Sequence, residues 1–90
     1  MSIPVMEFAI VMEEKLIKNS HKTGWGSLSP KWILNRIRQE TKELERAIAT
    51  KDKVAIIGEC ADVANFCMML HDNLMGCEYE GNPNDQPNLR

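Results

Sequence analysis

Apolar residues recur at helical spacing in three stretches of the chain, and no stretch alternates with the two-residue period of a half-buried strand. Val5, Phe8, Ala9, Met12, Leu16 and Ile17 share one such pattern. It predicts a first helix from about Ile3 to Asn19, with Ser2 as N-cap and Pro4 in the first turn. Ile33, Ile37, Leu44 and Ala47 define the apolar stripe of a second helix, opened by Ser29-Pro30 and running to about Ala49. Thr50-Lys51-Asp52 reads as a tight connection in which Asp52 caps a third helix, from about Lys53 to Met75. Its stripe is Ile56, Val63, Phe66 and Leu70, and Gly76 is the expected stop. Between the first two helices, His21 to Leu28 forms a loop with two glycines around Trp25. The expected fold is all-α: an antiparallel helical hairpin plus an N-terminal helix, completed into a four-helix-bundle-like core by oligomerisation. Residues 1–76 form one domain. Residues 77–90, with two prolines and three asparagines, form a loosely draped tail.

Two helices repeat one anomaly. On a wheel at about 100° per residue, Glu40 falls in the middle of the second stripe, with Glu43 about 60° to one side. Glu59 falls in the middle of the third stripe, with Asp62 about 60° to the same side. Folding the chain about Lys51 brings Glu43 level with Glu59 and Glu40 level with Asp62. Four carboxylates so close cannot all ionise without a counter-charge. Hard divalent cations with oxygen ligands supply one, and Mg²⁺ is the usual choice where phosphate completes the shell, with Mn²⁺ a possible substitute. Arg36, about 40° from Glu40, offers another counter-charge through an ion pair. Either acidic pair alone is an ordinary solvated helix face. The register match across a short turn is what points to metal.

Composition narrows the class further. The chain has 90 residues, 43% hydrophobic and 27% charged, with a net charge of −2. A domain this small is marginal alone and leans on a metal or a partner subunit. A homodimer or homotetramer is therefore expected. The basic residues form no stripe, which argues against a nucleic-acid polymer as ligand. No apolar run approaches the ~20 residues that span a bilayer. Glu7, Glu13 and Glu14 close behind Met1 are unlike a secretory signal, so a cytoplasmic protein is expected. Cys60, Cys67 and Cys77 have neither CxxC spacing nor a histidine partner and read as reduced structural thiols.

Glu40-Thr41-Lys42-Glu43, fifteen residues, then Glu59-Cys60-Ala61-Asp62 resembles the ExxE…ExxD signature of the MazG-like all-α nucleoside triphosphate pyrophosphohydrolases. The likeness extends from His21 to about Asn73 and includes the Gly-Trp loop before the Ser-Pro helix start. It implies a Mg²⁺-dependent hydrolase that converts a nucleoside or deoxynucleoside triphosphate to the monophosphate and pyrophosphate. Glu40, Glu43, Glu59 and Asp62 would be the metal ligands and catalytic acids. Trp25, at about the family's base-stacking position, would stack on the base or else plug the bundle end. His21, Lys22, Arg36 and Asn65 are further substrate-binding candidates. The alternatives are a metal- or nucleotide-binding helical module with little or no turnover, and a structural oligomerisation domain whose acids pair with Arg36 and Arg38.

Overall fold

A computed structural model describes residues 2–19 and 25–79 of the chain. Three helices occupy most of that span: α1 (Ile3–Lys18), α2 (Pro30–Thr50) and α3 (Lys53–Tyr79), with a single 3₁₀ turn at Trp25–Ser27 before α2. Among the described residues there is no strand. The helix starts follow from caps visible in the sequence. The Ser2 hydroxyl accepts the Val5 N–H at 3.4 Å and the Ser29 hydroxyl accepts the Trp32 N–H at 3.1 Å. Each satisfies one of the amides a helix start leaves unpaired.

The hairpin turn is equally local. Lys51 takes a left-handed conformation with φ of 62°, which ends α2. A side chain in that region costs about 1 kcal/mol. Asp52 offsets part of this by accepting the Val54 and Ala55 amides at 3.0 and 3.3 Å. The turn therefore both stops α2 and starts α3 within two residues, forcing the helices to pack as neighbours. Helix α3 then runs past Gly76, the expected stop, to Tyr79. Glycine inside a helix costs about 1 kcal/mol without ending it. Residues 80–90, most of the expected tail, lie outside the described residues.

The core lies where all the elements meet. Ile33, Phe66 and Met69 are buried together, and Leu16 from α1, Trp25, Leu28 and Ile37 pack against them. On α3 the buried residues are Ala61, Asn65, Phe66, Met69 and Asn73. Of the expected stripe only Phe66 is fully buried, while Ile56, Val63 and Leu70 are half-buried. The buried arc is turned toward the Asp62 side of the helix. The cause is that α3 packs on α2 along one flank and on α1 and the 3₁₀ turn along the other. A wheel read for one neighbour misses the second.

Two features depart from the apolar bookkeeping of the sequence. Within Lys53–Met75, a stretch of 23 residues of α3, the most apolar 18-residue window has a mean hydropathy of 1.3, enough by length and composition alone to cross a bilayer. This corrects the expectation that no apolar run approaches that length. Glu59 and Asp62 interrupt the run in sequence, yet the window's average stays at 1.3. Helix α1, in turn, has no buried residue. Ile3, Val5, Met6 and Ile10 are each more than half exposed.

Candidate metal centre

Glu40 enters from α2 and Glu59 and Asp62 from α3. One carboxylate oxygen from each lies within 4.8 Å of the other two. The hairpin register thus brings three of the four sequence-selected acids together. Glu43 stands outside this group. Its carboxylate is half-exposed and pairs with Arg46 on the next turn at 2.9 Å, a solvated pair worth little to stability.

The three clustered acids differ in their counter-charges. Glu40 accepts from the Arg36 guanidinium at 2.9 Å. That guanidinium also donates to Gln39 and lies 4.9 Å from the centre of the Phe66 ring. Asp62 pairs with Lys15 of α1 at 3.4 Å. Glu59 has no such partner, and its Oε1 is buried without a hydrogen bond. Burial, followed by the charges of Asp62, Glu40 and Glu43, raises the Glu59 pKa above 4.5, while Lys15 pulls the other way. With two cations beside three acids, Glu59 is left to carry the uncompensated charge.

That arrangement fits a hard divalent cation. Such an ion needs several anionic oxygens converging on one point, and an orphaned carboxylate oxygen among them has lost water without gaining a partner. Glu40, Glu59 and Asp62 are the residues able to hold it. A cleft of about 50 Å³ opens beside them, lined among others by Lys15, Arg36, Asn65 and Phe66. The Asn65 Nδ2 donates to the Met12 carbonyl at 3.0 Å, tying α1 to α3. Cations and carboxylates thus face one small space.

The remaining sequence candidates are differently placed. Trp25 packs on the Ile33, Phe66 and Met69 cluster, and its indole N–H donates to Asp72 Oδ2 at 2.7 Å. His21 and Lys22 lie outside the described residues. Lys15 enters the site from α1 through its ion pair with Asp62, a pairing that spacing within one helix does not reveal. Asn73 acts structurally: its Nδ2 gathers the carbonyls of Trp25, Gly26 and Leu28 at 2.9, 3.2 and 2.8 Å. The signal for both asparagines was their placement with Ala61 and Met69 in a four-residue repeat, which lays them along one helix face.

Fold and site together define an all-helical protein with a tri-carboxylate cluster flanked by two cations. The chain belongs to the family of an uncharacterized protein of Archaeoglobus fulgidus. It is 33% identical to that protein over 73 residues, covering 76% of this chain and 78% of the relative. No family model matches the chain, and no solved structure matches it.

Proposed function

We propose that this chain is a Mg²⁺-dependent nucleoside triphosphate pyrophosphohydrolase of the MazG-like type, acting in the cytoplasm as a homodimer or homotetramer. The observation that carries the reading is Glu59, a buried and unpartnered carboxylate oxygen inside a three-acid cluster. Glu40, Glu59 and Asp62 hold the cation, with Mn²⁺ a possible substitute. When bound, Mg²⁺ neutralises charge on the triphosphate and makes water easier to deprotonate at neutral pH. Water oxygen bonds to the α-phosphorus, the bond from that phosphorus to the α–β bridging oxygen breaks, and pyrophosphate leaves. Phosphoryl chemistry of this kind asks the protein for positioning and charge, not for a nucleophilic side chain. Arg36, fixed by Glu40 and the Phe66 face, supplies a cation at the edge of the cleft.

Incubation with a panel of ribo- and deoxyribonucleoside triphosphates tests this. Pyrophosphate is expected with Mg²⁺ and none with chelator, and a panel wholly inert despite Mg²⁺ uptake sinks the enzymatic reading. The Arg36–Glu40 and Lys15–Asp62 ion pairs favour a second reading, a structural oligomerisation domain in which Glu40 and Asp62 are paired internally. Thermal unfolding separates the two. A cation that binds only the folded chain stabilises it by about 2.7 kcal/mol at a hundredfold excess over Kd. The enzyme reading expects a midpoint several degrees higher with Mg²⁺, and the structural-domain reading expects no change.

Support for self-association comes from α1, whose apolar residues lie largely outside the core. Ile10 is 59% exposed, and an isoleucine left in water forgoes about 1.5–3 kcal/mol of burial. Ile10→Glu is expected to shift the sedimenting species to monomer while circular dichroism stays helical. An unchanged oligomer would place the interface elsewhere.

A further inference from the structure

Helix α1 meets α3 through two polar rungs, Met12 carbonyl to Asn65 Nδ2 at 3.0 Å and Lys15 Nζ to Asp62 at 3.4 Å. Both rungs border the cleft beside the carboxylates. Asn65 is only 3% exposed, and its Oδ1 is buried without a donor. A buried acceptor left so is unfavourable, and a donor entering the cleft would satisfy it. Lys15 carries three donors on a flexible stem. Its ammonium lies over Gly58, 3.6 Å from where a Cβ there would stand, and its ion pair is the one to Asp62. Arg36 is held differently, by Glu40, Gln39 and the Phe66 ring together. Of the two cations, Lys15 is the one with room to move.

A divalent cation among Glu40, Glu59 and Asp62 takes over the charge that Lys15 now balances and repels its ammonium. We propose that Lys15 is an exchangeable counter-ion, neutralising Asp62 until metal arrives and then turning into the cleft beside Asn65 and Arg36 to bind a phosphate group. This rests on the metal-dependent reading above and adds a rule to it: metal and phosphate bind with positive coupling. Because coupling between two ligands is reciprocal, each tightens the other equally.

Titration calorimetry on the full chain, with Mg²⁺ alone and with inorganic phosphate at zero and saturating Mg²⁺, tests the exchange. The wild type is expected to bind phosphate about tenfold more tightly with Mg²⁺. Lys15→Met is expected to bind Mg²⁺ about three- to tenfold more tightly, having lost a competing cation, yet to gain nothing for phosphate. Lys15→Arg should recover part of the phosphate gain. Acetylation of Lys15 in the wild type, followed by mass spectrometry, gives a second readout that does not depend on a variant folding. The rate should rise several-fold with Mg²⁺ and fall again when phosphate is added. Lys15→Met keeping the full phosphate gain, or Lys15 acetylating equally with and without bound Mg²⁺, overturns the exchange while leaving the metal site standing. Absence of Mg²⁺ uptake by the wild type overturns the metal-dependent reading itself.

Discussion

Glu59→Gln is expected to lower Mg²⁺-dependent pyrophosphate release by about 10²–10³-fold and, in the absence of metal, to raise the thermal unfolding midpoint. The two signs differ because one carboxylate serves two states. In the metal-free fold Glu59 is desolvated and crowded by Asp62, Glu40 and Glu43, which lifts its pKa above 4.5. A group whose folded pKa is raised contributes stability that is fully present below its unfolded pKa and is lost as pH rises through the folded value. The wild type should therefore lose stability relative to Glu59→Gln between pH 4.5 and neutrality, as the carboxylate ionises in place. Glutamine has the same shape and no charge, so it abolishes that slope. Mg²⁺ reverses the order, since it binds the ionised form and its stabilisation grows across the same interval. Melting curves of both proteins from pH 4 to 8, with and without Mg²⁺, read all of this at once. Retained turnover in Glu59→Gln would remove the carboxylate from the chemistry. A wild type less stable at pH 4.5 than at neutrality, relative to the variant, would contradict the burial of its charge.

The hairpin and three of its acids could be read from sequence because their determinants are local. Asp52 caps whatever follows it, and a two-residue turn leaves α2 and α3 one way to pack. Register then follows by counting, which is why Glu40, Glu59 and Asp62 were found together. Counting also put Glu43 level with Glu59, but not the rotation of α2, and half a turn of solvent exposure suffices to let Arg46 claim it. The second neighbour of α3 was not readable in this way. Helix α1 joins through a longer connection, so no turn fixes its register, and its weak internal polarity gives no preferred face. Asn65, Asn73 and Lys15 acquire their roles only once α1 and the 3₁₀ turn are laid against α3. Their chemistry is set by that crossing, which periodicity within one helix does not encode.

Asn73→Ala tests that crossing and is expected to be among the most damaging changes outside the aliphatic core. Asn73 is 4% exposed, and its amide nitrogen faces three carbonyl oxygens, those of Trp25, Gly26 and Leu28. Two N–H groups shared among three acceptors hold the entry to α2 against α3. Alanine removes both donors and leaves a small void, a loss of about 1–3 kcal/mol. For a domain of this size that corresponds to a midpoint lower by roughly 5–20 °C. Asn73→Asp should be worse, because it keeps the volume and turns a donor toward three oxygens into a fourth oxygen. Trp25→Phe, which gives up the indole N–H to Asp72 but keeps an aromatic ring on the core, should cost less than either. The ordering separates an amide clamp from simple packing: a volume effect alone would make Asn73→Asp the mildest of the three. The damage should also reach the carboxylates. Trp25 and Leu28 pack on Ile33 and Phe66, and the Phe66 ring carries the guanidinium that pairs with Glu40. Loosening the clamp therefore loosens Arg36, and Mg²⁺ affinity measured well below the melting midpoint should change with it, whereas Ile10→Glu, acting on the far side of α1, should leave that affinity untouched.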